Sequence, residues 1–382
     1  MGSEDVNKIK MKLIRKTVTV ILGTGLGLAA AWHGLGRYLG KFTSKPKRID
    51  KEGKLYLLDY YGNYDSALVK FPIKLVKPVR DAACSCIFTK DEEGNYITGR
   101  NFDLPHFDKN GNRTGLNVVI RCAPKSGYKS IAIADAAFVS VLRVPYYSGS
   151  LDKSETDKRY LALLPYLCMD GVNEKGLFVT VLALDTKKGE HPVYQKRKGK
   201  EQVIISVLLR KILDNCVSCE DAVSFADKFN LVNTLGHDFH LFISDVNGIS
   251  CVLEWRYDVM TVTHTDIATN FYVSSDDAED CYLEGELKEK FTAPDKANGY
   301  RFGYGHGYER FKTLMRLSEE NKVDGNAVMN EERVMEALKT VSQEYTGELT
   351  SMTQYSAVYN NREKKIEVCI YPDYNHKYNF ML

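Results

Sequence analysis

The chain has 382 residues, 44% hydrophobic and 27% charged, with a formal net charge of +2. That is enough apolar material for one large core, and no basic stripe of the kind nucleic-acid binding needs is visible. Nine cysteines cannot all pair within the chain, so at least one thiol is free. Cys216 and Cys219 have no partner pair or histidine cluster nearby, so neither a metal nor a cofactor is expected.

The first 83 residues differ in kind from the rest. Lys8, Lys10, Lys12, Arg15 and Lys16 precede an uncharged run, residues 17–36, that holds five glycines and His33. Twenty helical residues at a rise of about 1.5 Å cover a hydrocarbon layer about 30 Å thick. The run reads as a signal anchor, or as a signal peptide cut at Ala29-Ala30-Ala31. Either reading makes a membrane a partner through residues 17–36 and places the rest outside the cytoplasm, anchored or secreted. Gly23-Thr24-Gly25-Leu26-Gly27 lacks the preceding strand and the later acidic residue of a dinucleotide loop. Residues 37–53 are a basic, turn-rich linker, and 54–64 read as a strand followed by a turn.

From Cys84 onward strand signals dominate. Cys84-Ser85-Cys86-Ile87-Phe88 and Gly99-Arg100-Asn101-Phe102-Asp103 flank the polar, turn-forming 89–95, which predicts a hairpin that brings Arg100 and Asp103 back beside Cys84. A cysteine beside a cation is biased toward thiolate, the form that attacks a carbonyl carbon. A lone cysteine in a strand is, by itself, more often an inert core residue. Further strands are expected at 117–121, 130–134, 177–184, 239–245, 250–254, 260–264, 268–273, 355–359 and 365–371. Helical periodicity marks 202–214, with Val203, Ile204, Val207, Leu208 and Ile212 on one stripe, and then 219–229, 308–317 and 331–341. The pattern by itself predicts a mixed α+β domain.

The spacing of Cys84, Arg100 and Asp103 resembles that of the choloylglycine hydrolase (linear amide C–N hydrolase) family, which holds bile salt hydrolases and penicillin V acylases. Five further stretches follow in the family's order: Asp170-Gly171-Val172-Asn173-Glu174-Lys175-Gly176-Leu177, His240 to Glu254, Thr269-Asn270, Glu309-Arg310-Phe311 and Thr353-Gln354-Tyr355. The resemblance implies a four-layer αββα sandwich and a chain cut before Cys84, so that 84–382 is the catalytic domain, 37–83 a linker and pro-piece, and 1–36 the membrane or signal segment. It also implies roles. Cys84 would be the nucleophile and its freed α-amine the base, since an α-amine titrates near pH 8. Arg100 would steady the thiolate, Asp103 would hold the amine, Asn270 would donate to the oxyanion, and Arg310 would approach the site.

One departure stands out. The family places Asn or Tyr ten residues after the Asn of the D-G-x-N-E-x-G turn; counting from Asn173 gives Ala183, which has no side-chain donor. Asn173 itself reads as a turn-fixing residue. Arg310 on a helix is as readily a solvated surface residue, and Arg301 is a weaker rival for its role. Specificity is expected from loops 104–115 and 137–151, where Phe138, Val141, Leu142 and Tyr146 would form an apolar wall for the acyl group. The expected substrate is a small-molecule amide: an N-acyl amide, a conjugated bile salt or a penicillin V-like compound. Two alternatives stay open, an acyltransferase of related type and an unprocessed, non-catalytic, membrane-anchored binding protein. A homo-oligomer is also left open.

Overall fold

The computed structural model describes residues 40–62, 82–107, 110–111, 115–136, 151, 161–184, 193–233, 238–256, 258–274, 307–345 and 351–382. In chain order the first strands are β1 (Lys47–Arg48), β2 (Leu55–Tyr60), β3 (Ala83–Lys90), β4 (Tyr96–Asp103), β5 (Asn117–Cys122), β6 (Ser130–Asp135), β7 (Cys168–Asn173), β8 (Phe178–Leu184) and β9 (Glu201–Val203). Helices α1 (Ile205–Asn215) and α2 (Cys219–Ala226) follow, then β10 (Phe229–Leu231), β11 (Asp238–Ser244), β12 (Ser250–Arg256), β13 (Val259–His264) and β14 (Ile267–Ala268). The last part holds α3 (Gly307–Glu320), β15 (Lys322–Val323), β16 (Asn326–Ala327), α4 (Glu331–Thr340), β17 (Thr353–Asn360), β18 (Lys365–Ile370) and β19 (Asp373–Met381).

Two large sheets organise these elements. One has nine strands in the order β1-β2-β5-β6-β7-β8-β11-β12-β13, the other six in the order β14-β3-β4-β17-β18-β19. Within them every pairing is antiparallel except β2 on β5, which is parallel. Helices α1 and α2 lie on the nine-stranded sheet at β7, β8 and β12, while α3 and α4 lie on the six-stranded sheet at β3, β4, β14 and β17. The sheets meet face to face where β3 packs on β8. Nearly every residue of the central strands is buried because each of these sheets is covered on both faces.

Local chemistry explains the turns that matter. The β3–β4 hairpin closes through Asp91, whose carboxylate accepts from the Asn95 main-chain N–H, with Gly94 at φ +80°. Asn173 closes the β7–β8 turn: its Oδ1 accepts from the main-chain N–H groups of Lys175 and Leu177, and Gly176 takes φ +81°. The same side chain donates through Nδ2 to the carbonyls of Leu213 and Cys216, so it also caps the end of α1. The structural role expected for Asn173 is thus met twice over.

Several expectations need adjusting. The helical stretch at 202–214 begins only at Ile205, because Glu201–Val203 pairs in parallel with β10. The strand expected over 268–273 is confined to Ile267–Ala268, since side chains take over the main-chain partners beyond it. The last strand, β19, is absent from the expected strands: it is mostly exposed, and only Tyr374, Tyr378 and Phe380 alternate toward the buried side. Residues 54–64 do contain the expected strand: β2 is built into the nine-stranded sheet, four strands along from β8. The run 17–36 lies outside the described residues, among which no helix is long and apolar enough to cross a membrane.

Candidate active site

Strands β3 and β4 run antiparallel with Cys84 opposite Phe102 and Cys86 opposite Arg100. The Arg100 side chain therefore reaches diagonally along the strand pair, and its Nη2 lies 3.4 Å from the Cys84 Sγ and 3.0 Å from the Val181 carbonyl. Its Nη1 donates to the Asp170 carboxylate at 2.6 Å and to the Tyr355 hydroxyl at 2.8 Å. Tyr355 and Tyr359 both donate to that same carboxylate. Arg100 and Asp170 are fully buried. Burial works against the Arg100 charge, but Tyr355, Asp170 and Cys84 around it hold its pKa above the ordinary value. Burial pushes the Asp170 carboxyl up, opposed by Arg100 and the two tyrosines.

The main chain of Cys84 is held as firmly as its sulfur. Its N–H donates to Asn270 Oδ1 at 2.8 Å, and its carbonyl accepts from Arg310 Nη1 at 2.6 Å. Arg310 also donates to the Ser85 hydroxyl at 2.8 Å and, through Nη2, to Asn270 Oδ1. Asn270 passes the chain on: its Nδ2 donates to the Ala183 carbonyl at 2.6 Å. The Asn270 amide is thereby oriented by two donors on its oxygen and an acceptor on its nitrogen. Thr269 Oγ1 donates to the Gly307 carbonyl at 2.6 Å, tying this segment to the first residue of α3. A Cβ at Gly307 would stand 3.0 Å from the Asn270 nitrogen, so glycine permits the close approach.

Asp103, at the end of β4, accepts from Gln343 Nε2 at 2.6 Å and Thr353 Oγ1 at 2.7 Å, with Arg310 Nη1 3.6 Å away. Burial raises its carboxyl, while Arg310, Thr353, Gln343 and Arg100 pull the other way. Arg100 and Asp103 do not pair with one another; Arg100 takes Asp170 and Asp103 faces Arg310.

Cys84 is 3% exposed. Burial pushes its thiol up; Arg100 opposes this, Asp103 adds to it, and the main-chain N–H groups of Ala183 and Asp103 favour the thiolate. Desolvation thus outweighs the nearby guanidinium and works against the thiolate that the sequence pattern suggests. Ala183 matters here in a way its side chain could not suggest, because its N–H and its carbonyl both face the site.

A second buried group stands behind Asn270. His240 Nδ1 lies 3.1 Å from Glu254 Oε1 and its Nε2 lies 2.8 Å from the Thr269 carbonyl. Glu254 also accepts from the main-chain N–H groups of Val273 at 2.7 Å and Ser274 at 3.0 Å. Burial disfavours the Glu254 carboxylate, but His240 and Ser274 outweigh it and hold the pKa below the usual value. These contacts set the course of 269–274.

All five residues assigned to the chemistry, Cys84, Arg100, Asp103, Asn270 and Arg310, thus converge. Arg310 is fully buried, which settles it against a solvated helix face, and its rival Arg301 lies outside the described residues. Phe138, Val141, Leu142 and Tyr146, assigned to the acyl pocket, also lie outside the described residues. Asp170, Tyr355 and the His240–Glu254 pair stood in quoted motifs but were read as turn and strand; Ser85 and Tyr359 gave no signal beyond being polar in apolar strands, and Gln343 lies outside strand and helix. Among the described residues no group of three or more His, Cys, Asp or Glu is placed to hold a metal.

The model of the family "Linear amide C-N hydrolases, choloylglycine hydrolase family" matches residues 84–271. No curated protein matches the chain. Among solved structures, a mutant conjugated bile acid hydrolase from Clostridium perfringens aligns over 78% of this chain and 92% of its own, with 15% identity and a TM-score of 0.51. A penicillin V acylase from Agrobacterium tumefaciens aligns over 76% of this chain and 84% of its own, with 18% identity and a TM-score of 0.46. The first of these likenesses shows a shared fold. The family match starts at Cys84, so residues 84–271 are similar to the choloylglycine hydrolase family of linear amide C–N hydrolases.

Proposed function

We propose that the protein is a cysteine N-terminal-nucleophile hydrolase that cleaves the C–N bond of a small N-acyl amide after its own Ala83–Cys84 bond is cut. The observation that carries this reading is the threefold hold on Cys84: nitrogen on Asn270, carbonyl on Arg310, sulfur beside Arg100. Four layers, with helices outside two packed sheets, support the αββα sandwich of such enzymes for residues 84–382.

In the first reaction the Cys84 sulfur attacks the Ala83 carbonyl carbon, its proton passes to the departing nitrogen, and a thioester replaces the peptide bond. Water then hydrolyses the thioester, leaving the Ala83 carboxylate and a free Cys84 thiol and amine. That amine starts where the amide nitrogen now sits, with Asn270 Oδ1 as its acceptor. Catalysis repeats the same steps on a substrate. The amine takes the thiol proton, the thiolate attacks the acyl carbon, the protonated amine gives its proton to the leaving nitrogen, and water resolves the acyl-enzyme. We assign the oxyanion to the Ala183 N–H and the second hydrogen of Asn270 Nδ2, each such donor being worth about 2.7–4 kcal/mol. Asp103 and Arg310 hold the amine end of the site, and Arg100 holds the sulfur end.

Conjugated bile salts, penicillin V-like amides and N-acyl amides are the substrate classes to test. Residues 17–36, behind a basic N-terminus, support delivery of the catalytic part across a membrane. Intact mass and N-terminal sequencing of the purified protein test the scheme. A chain that starts at Cys84 and hydrolyses an amide is expected; transfer of the acyl group to an added amine in preference to water would make it an acyltransferase. An uncut chain that stays inert on long incubation would defeat the proposal.

A further inference from the structure

We infer that the N-terminal piece severed at Ala83 stays bound to residues 84–382 as a second chain of the working enzyme, seated on the edge of β5. This rests on the cleavage proposed above and adds the identity of a partner: a segment of the same chain.

All six residues of β2 pair in unbroken parallel register with β5, from Leu55 opposite Asn117 to Tyr60 opposite Cys122. The pairing continues past both ends, where the Lys54 carbonyl accepts from the Asn117 N–H and the Tyr60 carbonyl from the Ala123 N–H, both at 2.8 Å. Leu55, Tyr56, Leu58 and Tyr60 are fully buried and belong to the same apolar cluster as Val118, Ile120, Val181 and Phe242. On the outer face the Asp59 carboxylate accepts from Arg121 Nε at 2.7 Å. In these contacts β2 is a core strand of the domain, though it precedes the bond to be cut.

The segment also carries the means to keep its own shape. Asp50 Oδ1 accepts from the main-chain N–H groups of Lys54 and Leu55, both at 2.9 Å, closing the turn ahead of β2. Ser44 brackets Asp59 by a main-chain bond to its carbonyl and a hydroxyl that accepts its N–H, each at 2.9 Å. The Tyr61 N–H donates to the Phe42 carbonyl at 2.8 Å. Residues 42–61 thus behave as one docked hairpin.

Hydrolysis at Ala83 touches none of this, because the cut lies at the start of β3 in the other sheet. Departure of the hairpin, by contrast, would open Val118, Val119 and Ile120, now fully buried, and leave β5 as a bare apolar edge. The physical gain from leaving is the freedom of one chain; the loss is a strand ladder and four large side chains returned to water. Retention follows. The severed bond then frees the Cys84 amine without releasing the catalytic domain from whatever holds residues 17–36.

The test captures the full-length protein through a tag at its exposed C-terminal Leu382 in native buffer, then reads the bound peptides by mass spectrometry. Peptides from 40–62 are expected in about equal amount to peptides from 84–382, and a guanidinium chloride wash should remove only the former. Recovery of 84–382 without 40–62 in native buffer overturns the inference. If the chain is found uncut, the cleavage proposal fails; retention is then judged by inserting a protease site within 63–81 and cutting it. Fragments that co-elute on native gel filtration sustain the inference, and fragments that part refute it. Asp59→Arg should speed loss of the hairpin about fivefold, the scale of one surface ion pair. Arg121→Asp in the same chain should restore it, and no restoration would count against docking along β5.

Discussion

The Arg310 guanidinium donates to the Cys84 carbonyl at 2.6 Å from a helix 226 residues further along the chain. The same group meets Ser85 and Asn270, so one planar fork fixes three points around Cys84. Lysine cannot reproduce that geometry. Arg310→Lys is expected to lower kcat about a hundredfold, the cost of a misplaced reacting group, with KM little changed. Steady-state kinetics with a hydrolysed amide measures this; a change confined to KM would contradict it.

Cys84→Ala should yield a full-length chain that neither processes nor hydrolyses any amide. The comparison is made by intact mass after days of incubation, beside the wild type prepared identically. Normal processing of the variant would remove Cys84 from the first step.

Arg100 and Asp170 form a fully buried pair at 2.6 Å. Truncating either partner strands the other, so Arg100→Leu and Asp170→Leu should each cost about 3–5 kcal/mol in the Cys84→Ala background. The double variant should cost less than the two added together. Chemical denaturation gives all three values, and strict additivity would mean that the pair carries no coupling.

His240 and Glu254 hold the Thr269–Asn270 segment from behind without touching the sulfur. Glu254→Gln should lower kcat more than it alters KM, because it loosens Asn270 and leaves the acyl pocket alone. Thr269→Val, which loses only the tie to Gly307, should act in the same direction and more weakly. A pure loss of thermal stability with normal kcat would reduce the pair to a structural role.

His106 Nε2 lies 2.5 Å from the buried carboxylate of Asp135. Burial opposes the imidazolium, but Asp135 outweighs it and raises the His106 pKa. A pKa raised on folding gives stability that is fully present below the unfolded value of about 6.5 and fades as pH rises through the higher folded value. His106→Gln should therefore destabilise most at pH 6, by about 1.5–3 kcal/mol for a charged hydrogen bond, and least well above the raised value. Melting curves across that range decide it; a gap that widens with pH would reverse the sign.

Much of this was legible because local signals and tertiary needs agree. Asp91 to Asn95 announce the β3–β4 turn, and the fixed spacing of Arg100 and Asp103 from Cys84 survives folding because a hairpin preserves it. The partners of those residues were hidden. Asp170 is a carboxylate in an apolar strand, and nothing local says that it meets Arg100 across the sheet interface. Gln343 and Thr353 come to Asp103 from about 240 and 250 residues away, beyond the reach of any periodicity. Ala183 looked like a missing donor because a main-chain N–H has no letter in a sequence.

The eight cysteines among the described residues form no disulfide with one another and are all buried. A bulky maleimide added to the folded protein should find none of them, so each label acquired clocks an opening of the particular strand or helix that carries that sulfur. The molecule comes equipped with its own stopwatches, from Cys122 in β5 to Cys369 in β18 of the other sheet. If Cys84 is labelled ahead of the others, the reagent has used the opening through which the proposed substrate would enter.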